Sequence, residues 1–150
     1  MKKQTIVIRP FGGAADIRKL SGIWLDASLL AHPFIGEKKL VEQKQLIEEK
    51  YLPAAETWVA CLADEPVGFI SLLGTFVGAI FVAPDSQGQG IGRQLIAYAI
   101  DRKSELSLEV YTRNEQAVQF YTSLGFQEVL RRPADDEGLP FENAHFHLKG

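Results

Sequence analysis

Cysteine is almost missing from this 150-residue chain: Cys61 stands alone, so no disulfide can form within it. A single cysteine fits a reducing compartment, the cytoplasm, and among strand-type residues it reads as a small buried hydrophobe rather than a reactive thiol. Long apolar runs are missing as well. None approaches the ~20 residues that span a bilayer, and in the N-terminal MKKQTIVIRP only Ile6–Ile8 is apolar, too little for the core of a signal peptide. Basic residues are not concentrated: Lys2-Lys3, Lys38-Lys39 and Arg131-Arg132 stay as pairs, and the net charge is −3. A nucleic-acid partner would require a positive footprint, so that class is set aside. The mild acidity would suit a cationic small molecule or peptide. Histidine is rare too. His145 and His147 share one face of a predicted strand, but two ligands do not make a zinc site, and no metal is expected.

What is present belongs to an ordinary globule. With 46% apolar and 23% charged residues the chain can build a packed core, and its length suggests one domain over residues 1–150, burying roughly 70% of its unfolded surface. Thr5–Arg9 alternates and predicts a strand closed by Pro10. Ile17, Leu20, Ile23/Trp24 and Ala27 recur at helical spacing, predicting a helix to about Leu30. His32-Pro33-Phe34 breaks it. Leu40, Lys44, Ile47 and Tyr51 predict a second helix over Glu37–Tyr51, stopping before Pro53 because a residue preceding proline avoids the helical region. Strand patterns follow at Glu56–Ala63 and Val67–Leu73, joined by a turn at Asp64-Glu65-Pro66, and then at Phe76–Val82 after Gly74-Thr75. A helix carrying Ile91, Leu95, Tyr98 and Ala99 runs to about Lys103. Leu106, Leu108 and Val110 alternate in a further strand. Asn114 is a good N-cap for a helix with Ala117, Phe120/Tyr121 and Leu124 inside and Gly125 at its stop. Phe126–Arg131 and Asn143–Leu148 read as the last strands, flanking the acidic loop Pro133–Pro140. The fold class is therefore α+β, a mostly antiparallel sheet of about seven strands flanked by about four helices, in the order β-α-α-β-β-β-α-β-α-β-β.

One stretch carries chemistry. The apolar run Ala79–Val82 breaks at Pro84 and reaches Gly88, Gly90 and Gly92 just before a helix. A strand ending in a glycine turn that opens a helix presents free N–H groups at the positive end of the helix dipole, a ready site for phosphate. Two familiar phosphate loops fail. A nucleotide P-loop needs Lys-Ser/Thr after its last glycine, and here Arg93-Gln94 follows Gly92. A dinucleotide fingerprint needs a later third glycine within an early βαβ unit, whereas antiparallel strands precede this one. The pattern Gln/Arg-x-x-Gly-x-Gly/Ala is met in full by Gln87-Gly88-Gln89-Gly90-Ile91-Gly92.

That loop resembles the pyrophosphate loop of the GNAT superfamily of acyl-CoA-dependent N-acyltransferases. The preceding strand AIFVAP and the block Leu108–Val129 resemble the family's central and C-terminal motifs, with Asn114, Ala117, Phe120-Tyr121 and Gly125-Phe126 at matching spacing. His32-Pro33-Phe34, the run Leu52–Ala60 and the late acidic loop resemble a small single-domain bacterial branch. The resemblance implies an N-acetyltransferase, with acetyl-CoA as co-substrate and no metal. The acceptor would be a primary amine: a lysine or N-terminus of a peptide or protein, or a small molecule. The alternative is a non-catalytic acyl-CoA-binding sensor or interaction module. Monomer and homodimer are both open.

By the same resemblance the fourth and fifth strands splay at a bulge, with Gly78 a plausible place for it. The CoA arm would pair with the open edge at Phe81 and Val82, and a backbone N–H near Val82 would polarise the thioester carbonyl. Backbone N–H groups of Gly88, Gln89, Gly90, Ile91, Gly92 and Arg93 would hold the pyrophosphate. Gln87 would touch phosphate or face water, and Arg93 would add a charge-assisted bond or simply lie exposed. Asn114 would contact the CoA arm or only cap its helix, with Ala117 and Phe120 beside it. Tyr121 stands where the family often has its general acid, the alternative being a core aromatic on the helix face. The base is open among Glu109, His32 and Asp26, since Phe76–Val82 has no ionisable side chain. His32 and Phe34 border the expected acceptor site. Asp135-Asp136-Glu137 reads as a solvated loop or a weak attractor of cations.

Overall fold

Alternating apolar residues in the middle of the chain become the centre of a seven-stranded sheet. The computed structural model describes residues 5–135 and 138–150. Its strands are β1 (Ile6–Pro10), β2 (Glu56–Leu62), β3 (Glu65–Leu73), β4 (Phe76–Val82), β5 (Glu105–Tyr111), β6 (Gln127–Arg132) and β7 (Asn143–Lys149). They lie in the order β1-β2-β3-β4-β5-β7-β6. Every neighbouring pair is antiparallel except β4 and β5, which run parallel. The longer helices are α1 (Ala14–Ala31), α2 (Glu37–Leu46), α3 (Ile91–Lys103) and α4 (Glu115–Ser123). The element order is the one the sequence predicts.

Alternation along each strand sends side chains to two cores. On one face, Leu20, Ile23 and Trp24 of α1 and Leu40 of α2 pack with Val59, Cys61 and Phe69. On the other, Ile91, Leu95, Ile96 and Ala99 of α3 pack with Ala60, Ile70, Leu72, Leu106, Leu108 and Phe146. Cys61 is a buried core residue, as its setting implies. Helix α1 is tied to β1 by a two-pronged ion pair. Arg9 Nη1 and Nη2 donate to Asp16 Oδ2 and Oδ1 at 2.7 and 2.9 Å, and Gly12 N–H donates to Asp16 Oδ2 at 2.6 Å. The Arg9 guanidinium beside it holds the Asp16 carboxyl below the usual carboxylate range, more than offsetting the opposing effect of burial.

Three local expectations shift. The β2–β3 turn is the pair Ala63-Asp64, both with left-handed φ (49° and 67°), so Glu65 and Pro66 already belong to β3. Pro66 is tolerated there because the pairing skips Val67 beside it, a bulge where no ladder donor is needed. The second helical stretch does not stop before Pro53. It widens into a π-turn over Ile47–Tyr51, in which Leu52 N–H donates to Ile47 O, and then makes one more turn over Leu52–Ala54. A widened turn moves the carbonyl that a proline ring would strike in an α-helix, so the chain passes Pro53 without ending. Asp135 is not merely solvated. It accepts from Tyr111 Oη at 3.0 Å and from Leu139 N–H at 2.9 Å, pinning its loop to the end of β5. Asp136 and Glu137 lie outside the described residues.

Candidate active site

The sheet opens beside its glycine turn. Strands β4 and β5 share a single paired position, Phe76 with Ser107, and then diverge. Divergence begins where β4 carries an extra residue: Ser71 faces Ala79 and Leu72 faces Val77, leaving Gly78 as the bulge. Ala83 N–H donates to Val67 O at 2.8 Å. In antiparallel alternation that sends the backbone groups of Val82, and of Ile80 before it, away from β3 and into the gap, while Phe81 keeps its own in the ladder. The open edge is thus made by Ile80 and Val82. Phe81 contributes its side chain, packed on Trp24 and Phe69 and lining the groove.

The glycine turn follows. Gly88 and Gly90 have φ near +80°, a conformation a side chain strains. Gly92 has a different reason: a Cβ there would sit 3.2 Å from Phe120 Cζ, so its hydrogen lets α3 and α4 approach. From Gly88 to Arg93 no backbone N–H donates to a carbonyl among the described residues; the first helical bond is Gln94 N–H to Gly90 O at 3.1 Å. Six successive donors therefore lie free at the start of a 13-residue helix. Gln87 turns away from them. Its Nε2 donates to Val82 O at 3.1 Å, tying the loop to the end of β4 and leaving Val82 N–H toward the gap. Gln89 is exposed and outside the groove lining; Arg93 is exposed at its edge.

A groove of about 660 Å³ runs from this turn into the gap, lined by Ile80 to Val82, Gly88, Ile91, Asn114, Ala117, Phe120 and Tyr121. Asn114 does two things. Its Oδ1 accepts from Ala117 N–H at 3.2 Å as the cap of α4, which turns its Nδ2 toward His32 Nε2 at 3.3 Å. Burial pushes the His32 imidazole down to about 4, so it is neutral near pH 7. Nε2 then accepts from Asn114 and the ring proton sits on Nδ1. Tyr121 is buried against Phe120 and Phe126, and burial raises its phenol above the ordinary tyrosine range. Its ring lines the groove, and its hydroxyl has no protein partner among the described residues.

A second cavity of about 420 Å³ opens on the α2 side of the sheet. Both cavities are lined by Val77, Gly78, Ala79, Glu109, Val110 and Tyr111, so they meet in the gap. Glu109 stands at the junction. Its Oε2 accepts from Arg132 Nη2 at 3.1 Å, and its Oε1 lies 3.1 Å from His145 Nε2. His147 pairs with Glu105 more loosely, at 3.8 Å. Asp26 is exposed on α1 and lines neither cavity. Phe34 lines neither as well. It joins an aromatic cluster with His32, Tyr111 and Phe141 that braces the inter-helix segment against β5. Ile80, Tyr111 and the residues of the π-turn line the two cavities without having been singled out in the sequence, whereas Asp135 was named there as a weak attractor of cations; strand parity counted from Ala83 would have found Ile80.

A split between parallel strands has a row of free amides at one mouth and a second cavity at the other, and the two cavities meet through the sheet. Residues 53–128 match the family described as Acetyltransferase (GNAT) domain. The chain belongs to that family and is an acyltransferase enzyme. It is similar to the peptidyl-lysine N-acetyltransferase YjaB of Salmonella typhimurium, 39% identical over 82% of this chain and 85% of that one. It is also similar to the peptidyl-lysine N-acetyltransferase YiaC of Escherichia coli, 36% identical over 84% and 87%. The solution structure of apo YjaB from E. coli superposes with a TM-score of 0.86 at 35% identity, covering 95% of this chain and 97% of that one. YncA of S. typhimurium, solved with its cofactor acetyl-CoA, shares the fold with a TM-score of 0.70 at 20% identity over 97% and 94%.

Proposed function

We propose that this enzyme transfers the acetyl group of acetyl-CoA to the ε-amino group of a lysine in a peptide or protein. The observation that carries the reading is the meeting of two cavities in the β4–β5 gap, one of them headed by six free amides. The lysine acceptor is supported by the relatives named above as peptidyl-lysine N-acetyltransferases. A cytoplasmic setting, inferred from the lone buried Cys61, belongs to the same proposal.

The donor groove fits a pyrophosphate-bearing ligand on its own chemistry. Backbone N–H groups from Gly88 to Arg93 would hold the diphosphate, and the Ile80 backbone and the Val82 N–H would meet the arm as an added strand would, the Val82 carbonyl being held by Gln87. Bound acetyl-CoA supplies an acyl group activated as a thioester. Val82 N–H is the oxyanion donor in this scheme, and the Tyr121 hydroxyl holds the proton given to the departing thiolate. Burial keeps that phenol protonated across the working range. A lysine amine has a pKa near 10.4, so only one in ~2,500 is neutral at pH 7, and the proton must go to a base. We assign it to Glu109, which borders both cavities. His32 is the poorer choice, because its Nε2 lone pair already accepts from Asn114.

The experiment mixes the protein with acetyl-CoA and a panel of lysine peptides, N-terminal amines and small amines. It follows free thiol and, by mass spectrometry, the modified nitrogen. Lysine peptides are expected to release thiol, and Glu109→Gln to lower kcat about 100-fold at pH 7 with coenzyme A affinity kept. Acetyl-CoA binding without thiol release above hydrolysis across the panel would return the chain to a sensor or interaction module.

A further inference from the structure

The second cavity has an inside and a mouth of different character. Leu52, Phe69, Val77 and Trp24 are buried within it. Leu46, Tyr51 and Leu73 line it as well, yet they are 38%, 56% and 52% exposed. Apolar side chains held open at the mouth of a cavity are not an ordinary surface. Along β5 the lining turns polar, with Glu109 bordering the gap and Asp135 and Asn143 beside Tyr111 at the end of the strand. Apolar walls with carboxylates at the inner end complement a lysine side chain, a methylene stem carrying a cation. The exposed rim is left over. A lysine stem seated toward the inner carboxylates is used up inside the cavity, and a free polyamine would set a second cation against an apolar rim.

Leu73 ends β3, and the other two rim residues are set by the π-turn. In an α-helix, residues five apart diverge by roughly 140°. A turn closed i→i+5 brings them into line instead. Leu46 and Tyr51 are five apart, as are Ile47 and Leu52, and all four line the cavity. The intervening Glu48 anchors the turn: its Oε2 accepts from the buried Ser21 Oγ of α1 at 2.6 Å. A π-turn costs backbone hydrogen-bond quality, and such turns concentrate at functional sites.

We infer that Leu46, Tyr51 and Leu73 form a specificity rim that selects acceptor lysines with a large apolar residue within two positions in the peptide. This rests on the lysine-acetyltransferase reading above and names the acceptor more narrowly. The occupant is a peptide segment whose lysine enters the cavity and whose neighbouring apolar side chain covers the rim.

The test uses the full chain with acetyl-CoA and three peptides differing only beside the lysine: Leu/Phe, Gly, or Asp. The apolar-flanked peptide is expected to exceed the glycine peptide in kcat/KM at least tenfold, chiefly through KM, the scale of one apolar side chain leaving water. Leu73→Ser and Tyr51→Ser should each pull that ratio toward one, with coenzyme A binding by calorimetry reporting that the variant is folded. Val129→Ser, at a residue 67% exposed on β6 and outside both cavities, should leave the ratio where it was. Three peptides acetylated within twofold of one another would overturn the rim while leaving lysine acetylation standing. No acetylation of any lysine peptide by protein that binds acetyl-CoA would overturn both.

Discussion

Keeping His32 neutral inside the fold makes a measurable pH signature. Burial pushes its imidazole down to about 4, against about 6.5 in an unfolded chain. A depressed folded value means the unfolded state binds the proton first as pH falls. The stability from keeping this ring neutral is therefore whole above pH ~7 and is lost progressively as pH drops from 6.5 towards 4. Between pH 7 and pH 4.5 the loss works out at roughly 2 to 2.5 kcal/mol, from about 1.4 kcal/mol per unit. Carboxylates such as Asp16 and Glu56, whose values are lowered by their partners, also lose stability in acid. Comparison with His32→Gln removes them, because Gln can still meet Asn114 but does not titrate. Urea unfolding of both proteins at the two pH values gives the difference of differences. With a slope of about 2 kcal/mol/M, wild type should lose ~1 M more midpoint than the variant. The cost of the substitution itself cancels. Two proteins whose stabilities fall in parallel, within about 0.5 kcal/mol, would show that His32 is not a buried neutral base and would undo its assigned tautomer.

Three further outcomes are expected. Gly90→Val puts a β-branched residue at φ 81° in the amide row, and the coenzyme A Kd should rise at least ~10-fold by calorimetry; an unchanged Kd would separate the loop from the donor. Tyr121→Phe should cut kcat about 100-fold while leaving coenzyme A affinity intact, and unchanged turnover would remove the phenol from the mechanism. Asp16→Asn should cost about 2 kcal/mol of thermal stability, a buried-pair loss discounted for the partly exposed Arg9. Because its folded value is depressed, the contribution of Asp16 is present above the usual carboxylate range and is lost as pH falls through the folded value, so wild type and variant should converge in acid.

What the residues reveal in advance divides by the range of the interaction. The glycine turn was legible because Gly88 and Gly90 answer to their own φ, and helix α3 begins within three residues of them. The element order was legible for the same reason, each period being written in consecutive residues. Gly78 was readable as a bulge because a glycine in mid-strand has no side chain to pack and often marks one. Its consequence, the loss of β4–β5 pairing after Phe76, was not. Divergence depends on what packs on both strands. The same applies to Asn114, whose capping role is local and visible, while its second partner, His32, is 82 residues away.

The π-turn shows how a local rule can be right about the strain and wrong about the outcome. The residue before Pro53 ought to leave the helical region, yet Leu52 has φ −61° and ψ −44°. The restriction is satisfied by opening the preceding turn rather than by ending the helix, and that choice is made elsewhere. Leu52 is buried in the α1–α2 core, and Ser21 holds Glu48 in place across it. An ending at Tyr51 would withdraw Leu52 from that core. Burial of one leucine contributes about 1.5 to 3 kcal/mol, more than the roughly 1 kcal/mol of a weakened turn hydrogen bond, so the widened turn wins. The same widening aligns Leu46 with Tyr51 at the mouth of the acceptor cavity. A proline that reads as punctuation in the sequence thus follows, through tertiary packing, a turn that sets Leu46 and Tyr51 at the cavity mouth.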